Sequence, residues 1–292
     1  MTRDFLKNGF AALAVFAVFA VSNQALADIT IKFGVYATDS RSAVESKLRP
    51  ILGALETDMT KRMGEPVTIT IQVAGTYEKG LEDLVEGRVD FARLGPASYV
   101  LGKDANPGLA ILAMENSKGS KTFNGIIAVA KDSPIKDASD LQGKSFAFGN
   151  ERSTIGRYLS QLYLTEHGVL AGDLSEYEYL GKHDKVGIAV GRGQFDAGAL
   201  KESTFKKLVK KGVPIRALAS FPNVTKPWVA RSGFPSQLEN ALRQAFLDMK
   251  DPAALKALKK DGFFEGSDND YAVIRQSMEQ NKKFFETDTS MN

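Results

Sequence analysis

Apolar and polar positions along this chain switch repeatedly between two periods. Ile29 to Val35 alternates and is rich in β-branched residues, which predicts a strand. From Ser42 to Met63 the apolar positions are Val44, Leu48, Ile51, Leu52, Leu55 and Met59, a helical spacing stopped by Gly64-Glu65-Pro66. Strand then follows at Val67 to Val73, helix at Tyr77 to Glu86, and a short strand at Phe91 to Leu94 leading into Gly95-Pro96 and a short helix. A further strand runs from Leu109 to Met114. Glu115 to Thr122 is polar and breaks the pattern, so it reads as a link between lobes.

Beyond the link the alternation restarts. Strands are predicted at Gly125 to Ala130, Ser145 to Phe148, Tyr177 to Leu180 and Phe195 to Leu200. Helices are predicted at Ser153 to His167, Asp184 to Gly191 and Thr204 to Lys211. Ile215 to Ser220 is a strand that crosses back, followed by a helix from Gln237 to Met249 and two or three short ones. Strands alternating with helices imply βαβ units and mostly parallel sheets. The expected fold is α/β with two lobes: residues 28–118 and 218–292 form the first, and residues 119–217 form the second, inserted into it. A cleft between such lobes is the default place for a small ligand.

Composition changes the picture in three ways. The start of the chain carries Arg3 and Lys7, an apolar run from Phe10 to Val21 and the small-x-small site Ala25-Leu26-Ala27. That is the pattern of a secretory signal peptide over residues 1–27, cleaved after Ala27, and it places the mature protein in the periplasm. There is no cysteine among the 292 residues, so disulfides, thiolate metal sites and a lipid anchor on cysteine are all excluded. The formal charge of +3 is too small for a general nucleic-acid surface, though not for a local anion site.

Candidate chemistry lies at strand ends. In Gly149-Asn150-Glu151-Arg152-Ser153-Thr154-Ile155, a strand runs into a polar loop and then a helix start. The unpaired first amides and the helix dipole make such a start an anion site. Ser153 and Thr154 are equally good plain helix caps. Tyr36 ends the first strand, while Ser98 and Tyr99 follow the strand Phe91 to Leu94, so these also fall where open α/β sheets bind ligands. Asp196 lies within a short strand in Phe195-Asp196-Ala197-Gly198-Ala199. There is no GxSxG elbow, HExxH, Walker loop or GxGxxG after a strand, and the two histidines do not make a metal site, so the residues give no sign of an enzyme or a cofactor.

Taken in order, Val35-Tyr36-Ala37-Thr38, Asp90-Phe91-Ala92-Arg93-Leu94-Gly95-Pro96-Ala97-Ser98-Tyr99, Asp140-Leu141-Gln142-Gly143-Lys144-Ser145-Phe146-Ala147-Phe148, Ser153-Thr154 and Phe195-Asp196-Ala197-Gly198-Ala199 carry a resemblance. The chain resembles the phosphate/phosphite/phosphonate-binding periplasmic proteins of ABC transporters, the PhnD-type family, over nearly all of residues 28–250. The resemblance implies a type II periplasmic binding protein fold and a small oxyanion held between lobes. It implies as ligand-binding residues Tyr36, Tyr99, Ser153, Thr154, His183 and Asp196; Ser98, from its place after a strand end, and Ile155, through its backbone amide, complete the expected site. Family members commonly carry a third hydroxyl where this chain has Ile155. An ionised Asp196 would accept a hydrogen bond from a protonated ligand oxygen or face a ligand amino group. Arg152 and Arg157 are the side chains able to replace the missing donor, and Trp228 is read as packing.

The function so implied is capture of a small phosphorus oxyanion for an ABC importer by hinged closure, by a monomer whose partner is the permease in the inner membrane. The alternative is a sensor that presents the oxyanion to a histidine kinase or chemoreceptor. An enzyme using Asp196 and His183 as base and acid is the weakest reading.

Overall fold

A computed structural model describes residues 28–37 and 40–286. The expected signal peptide lies outside the described residues. The first lobe is laid down by β1 (Ile29–Tyr36), α1 (Arg41–Met63), β2 (Val67–Ala74), α2 (Tyr77–Val85), β3 (Phe91–Arg93), α3 (Pro96–Ala105) and β4 (Ala110–Glu115). The second contains β5 (Thr122–Ala130), β6 (Ser145–Phe148), α4 (Leu159–Glu166), β7 (Glu176–Tyr179), α5 (His183–Gly191), β8 (Ala197–Lys201), α6 (Glu202–Lys210) and β9 (Ile215–Val224). The chain then returns to the first sheet with β10 (Pro227–Ala230), α7 (Ser236–Leu247), α8 (Pro252–Leu258) and β11 (Phe263–Phe264), and finishes with α9 (Ala272–Gln280).

Two sheets result, ordered β11-β4-β10-β3-β1-β2 and β7-β6-β8-β5-β9. Both are mixed. In the first, β1 pairs in parallel with β2 and β3, and β10 runs antiparallel between β3 and β4. In the second, β6 is parallel to β7 and β8, and β5 runs antiparallel between β8 and β9.

The periodicity of α1 explains its seat. Val44, Leu48, Ile51, Leu52, Leu55 and Met59 are all buried, each worth roughly 1.5–3 kcal/mol against exposure. Ser40 caps its start, and Gly64, at φ 73°, closes its end in the left-handed conformation that glycine takes without strain. Trp228 is fully buried in the same core, stacked on Phe33 with ring centroids 5.2 Å apart, so it packs and does not line the cleft.

Two adjacent segments carry the chain between lobes. The outward one follows β4 and the return one joins β9 to β10. They are tied by Thr225 N–H to the Lys121 carbonyl (2.8 Å) and Glu115 N–H to the Lys226 carbonyl (3.1 Å). The return crossing therefore lies at Thr225–Lys226, later than the expected boundary at 217. Pro222 makes β9 look shorter than it is. It sits opposite Asn124 in an edge strand, where a missing N–H costs little.

The tail also departs from its assignment to the first lobe. α9 packs on α3 of one lobe and α4 of the other. Asn281 Nδ2 donates to Gln161 Oε1 (2.5 Å) on α4, while the Tyr271 hydroxyl donates to the Thr225 carbonyl at the crossing (3.0 Å). No helix among the described residues is long and apolar enough to cross a membrane.

Candidate functional site

β6 ends at Phe148 and the chain turns through Gly149–Arg152 into a single wide π-turn, Thr154–Tyr158, before α4 begins. The turn is held against the strand end by Gly149 N–H donating to the Gly156 carbonyl at 2.8 Å. A Cβ at Gly156 would meet the Gly149 Cα at 2.8 Å, so only glycine allows this approach. Ser153 is the cap: its hydroxyl accepts from Gly156 N–H at 3.0 Å. The amides that follow it are the orphan donors of a helix start and carry its positive dipole end.

The facing wall comes from the first lobe. Tyr36 ends β1, and its ring lies on Gly80 of α2, where a Cβ would come within 2.8 Å of the tyrosine Cβ. The Tyr77 ring flanks it, with centroids 4.3 Å apart. The Tyr36 hydroxyl accepts from Gly95 N–H (2.6 Å) and shares a hydrogen bond with Ser98 Oγ (3.0 Å). Burial raises the Tyr36 phenol above its ordinary range, so it stays neutral and keeps a proton to donate. Thr154 closes the seam: its hydroxyl accepts from Ala97 N–H at the start of α3, 3.0 Å away across the lobes. Arg152 and Glu78 add an ion pair of 2.8 Å across the same seam.

Between these walls lies a cavity of about 560 Å³. Tyr36, Ser153 and His183 line it, together with Arg93, Lys226 and Asn150. Lys226 belongs to the crossing segment itself, and its ammonium lies 5.9 Å from the centre of the Tyr36 ring. Burial, then the charges of Arg93 and Lys201, push its pKa well below the usual lysine value. Lys201 is held down at about 8, first by burial and then by Arg93 and Lys260. Glu115 is the counter-charge. Its carboxylate meets Arg93 Nε at 2.5 Å and Lys260 Nζ at 3.3 Å. Burial alone would raise it, but Arg93 and Lys260 outweigh that and hold it at about 2. Among the described residues Glu115 thus stands beside the basic groups of Arg93, Lys260, Lys201 and Lys226, whose mutual repulsion makes the deep end of the cavity favour an anion.

His183 opens α5 at the cavity wall. Its ring donates to the Ala199 carbonyl, and Nδ1 is buried with no hydrogen-bond partner. Burial and the Lys201 charge bring its pKa to about 4, so near neutral pH the imidazole is uncharged and Nδ1 is an acceptor.

The expected residues therefore separate. Tyr36, Ser153 and His183 meet in the cavity, with Ser98 behind Tyr36 and Thr154 at the seam. Ile155 is buried beside Gly125, on the core side of its turn. The Tyr99 hydroxyl donates to Asp268 at 2.8 Å, and its ring packs on Tyr271, away from the cleft. Asp196 sits elsewhere too. It accepts from the Ser145 amide and hydroxyl, both at 2.9 Å. Since β6 and β8 are parallel, Ser145 and Asp196 both mark amino ends, at the edge of the sheet opposite the cavity. Arg157 donates to the Glu151 carbonyl and to Asn281, outside the cavity. Sequence reasoning missed Lys226, Arg93 and Lys201. The available signal was a lysine in the apolar run Val224-Thr225-Lys226-Pro227-Trp228, and arginine and lysine at the ends of β3 and β8.

What this arrangement can do is hold an anion with neutral donors, a helix start and cations. No group of His, Asp or Glu among the described residues is arranged to hold a metal. Comparison with known proteins agrees in kind. Residues 33–271 match the family described as ABC transporter, phosphonate, periplasmic substrate-binding protein. The chain is 26% identical over 183 residues to the phosphonates-binding periplasmic protein of Escherichia coli K12, covering 61% of this chain and 52% of that one. It is 27% identical over 195 residues to the phosphate-import protein PhnD of Mycolicibacterium smegmatis, covering 63% and 59%. The chain thus matches between about half and three fifths of the length of these relatives. Its fold is that of PhnD1 from Prochlorococcus marinus MIT 9301, solved in complex with methylphosphonate. The TM-score is 0.72 at 20% identity, covering 87% of this chain and 98% of that one.

Proposed function

This chain belongs to the periplasmic substrate-binding proteins of phosphonate ABC transporters, and from that premise we propose that it captures a small phosphorus oxyanion between its lobes and delivers it to an inner-membrane permease. The observation that carries the reading is Lys226. A lysine buried in the crossing between lobes, beside Tyr36 and Arg93 and with its ammonium disfavoured there, gains a charge partner when an anion enters the cavity.

In this reading the anion lies against Ser153 and the helix start behind it, takes a hydrogen bond from Tyr36, and is neutralised by Lys226 and Arg93. His183 Nδ1 accepts the proton of a P–OH. A phosphate-type group, with a second pKa of about 6, takes up such a proton near neutral pH at modest cost, and sulfate does not. Discrimination against sulfate then falls to His183 in place of Asp196. Closure brings Thr154 onto Ala97 N–H, so the closed form that a permease recognises carries a bond the open form lacks. In this reading the protein works in the periplasm, as its family does, and reaches it through a leader cleaved after Ala27.

A thermal-shift panel with phosphite, phosphate, methylphosphonate, aminoethylphosphonate and sulfate tests the reading. A ligand at a hundred times its Kd stabilises by about 2.7 kcal/mol. Stabilisation by a phosphorus anion and not by sulfate is the expected result. Stabilisation by none of them, or by sulfate alone, would remove it.

A further inference from the structure

The loop Gly149–Arg152 presents Asn150 to the cavity and leads to Ser153, which also lines it. Its first residue is tied down, since Gly149 N–H donates to the Gly156 carbonyl and the Gly149 carbonyl accepts from Gly181 N–H. Beyond that the chain is bonded mostly to itself. Ser153 N–H donates to the Asn150 carbonyl (2.9 Å) and Arg152 N–H to Asn150 Oδ1 (2.8 Å). Glu151 and Arg152 are exposed, and the Arg152–Glu78 ion pair reaches across to the first lobe. The middle of the loop is fixed within its own lobe by the Glu151 carbonyl, which accepts from Arg157 Nη1 at 3.2 Å.

Arg157 is itself aimed from behind. Its Nη2 donates to Asn281 Oδ1 (3.1 Å), Asn281 Nδ2 donates to Gln161 Oε1 of α4 (2.5 Å), and Gln161 Nε2 donates to the Tyr179 hydroxyl at the end of β7 (2.8 Å). Gln161 and Asn281 are buried. Turning the Asn281 amide over would set a donor against the guanidinium, so the chain has one direction. Arg157 Nε is buried with no hydrogen-bond partner, which leaves the two ends of the fork to fix the side chain. Asn281 belongs to the tail that leaves the first lobe at β11. Three residues on, the buried Phe284 meets the ring of Phe148, the last residue of β6, edge-on at 5.7 Å. The Arg157 guanidinium lies between the Tyr158 and Phe285 rings, 5.1 and 5.8 Å from their centres. The tail thus backs both the strand end and the loop that follows it.

Resting on the phosphorus-oxyanion reading of the cavity, we propose that Arg157 and Asn281 are positioning residues of the anion site. The tail, through the Asn281 amide, aims the Arg157 fork at the Glu151 carbonyl and holds Asn150 and Ser153 in place before the anion arrives. Neither residue touches the anion. A loop already ordered in the free protein costs less to order on binding, so the network acts on affinity through the free state.

Three variants of the full chain test this with two readouts: hydrogen exchange at the amides of residues 150–153 in the free protein, and calorimetry with methylphosphonate. Asn281→Leu breaks the link and keeps the Arg157 charge. Arg157→Lys keeps the charge, but a single ammonium does not replace the planar fork that bonds Glu151 and Asn281 together. Asn281→Asp keeps an acceptor for Arg157, and Gln161 can turn its amide to donate to it while accepting from the Tyr179 hydroxyl. In the leucine and lysine variants exchange is expected to be about tenfold faster and affinity about five- to tenfold lower, with Asn281→Asp within about twofold of the parent in both. Urea unfolding of the same proteins reads global stability apart from these effects. Lower stability with unchanged exchange and affinity makes the network structural only and overturns the inference, as does an Asn281→Asp variant as impaired as Asn281→Leu. If Asn281→Leu does not fold, Arg157→Lys, at a half-buried position, decides by the same two readouts. Methylphosphonate that fails to bind the parent overturns the phosphorus reading, and the exchange result then decides the positioning of the loop by itself.

Discussion

The Thr154 hydroxyl accepts the Ala97 amide proton over 3.0 Å, and this buried bond joins the start of a helix in one lobe to the start of a helix in the other. Opening the lobes gives both groups back to water, so the bond counts only in the closed form. Thr154→Val keeps the shape and removes the acceptor, leaving a buried N–H unsatisfied at a cost of about 1–3 kcal/mol. The expected outcome is a five- to hundredfold loss of anion affinity, to order of magnitude, with the unfolding midpoint of the free protein nearly unchanged. Calorimetry with thermal unfolding checks it. Affinity equal to that of the parent chain would mean that the bond takes no part in closure.

Ser153 both caps its turn and lines the cavity, and two variants separate those roles. Glycine at a cap costs only a few tenths of a kcal/mol, whereas alanine costs about 1 kcal/mol. Ser153→Gly should therefore fold almost as stably as the parent chain yet bind the anion about tenfold more weakly, by the loss of one hydrogen bond to a charge. Urea unfolding and titration read the two effects apart. If Ser153→Gly binds as tightly as the parent, the hydroxyl is a cap and nothing more.

Lys226 predicts a proton count. Burial, Arg93, Lys201 and Lys47 lower its pKa in the free protein, against a smaller opposing push from Glu115. An anion beside it favours the ammonium and raises that pKa. Between the two values the complex holds a proton that the free protein lacks, so binding takes up protons and weakens as pH rises. Lys201, held at about 8, adds to the same uptake. Binding enthalpies in buffers of different ionisation heat give the number directly. A positive proton number that shrinks in Lys226→Met is expected; release of protons on binding would contradict the assignment.

His183 predicts an acid sensitivity. Its pKa in the fold is about 4, against an ordinary 6.5, because burial and Lys201 disfavour the imidazolium. The unfolded chain therefore binds a proton below about pH 6.5 that the folded chain refuses until about pH 4. Stability from this group is full above 6.5 and is lost as pH falls through that window. By pH 5 the loss is about 2 kcal/mol. Urea unfolding at pH 7 and pH 5 should show a smaller loss in His183→Gln. Equal losses in the two proteins would show that His183 titrates normally.

Much of this was legible in the chain. The six apolar positions of α1 announce both its helix and its buried face, because a surface helix must turn one stripe inward. Ser153 before a helix start and Tyr36 at a strand end announce two walls of the cavity. What failed was direction. Asp196 and Tyr99 stand in motifs near the site, yet residue spacing does not tell which end of a strand or which side of a helix a side chain occupies. Asp196 is tied to Ser145 at the far edge of its sheet, and Tyr99 turns to Asp268, which is 169 residues away in sequence. Lys226 was illegible for the same reason: its role comes from the crossing of two segments that only the folded lobes bring together. Ile155 reads as a missing donor and proves to be a packing residue, since the wide turn from Thr154 to Tyr158 directs it to the core.

The central claim is that a phosphorus oxyanion is held at the crossing by Lys226. Titration calorimetry of methylphosphonate into the parent protein and into Lys226→Met tests it most directly. The account predicts saturable binding at one site in the parent, and at least about a tenfold loss in the variant, since a charge-assisted contact is removed. Absence of binding in the parent, or equal affinity in both proteins, would contradict it.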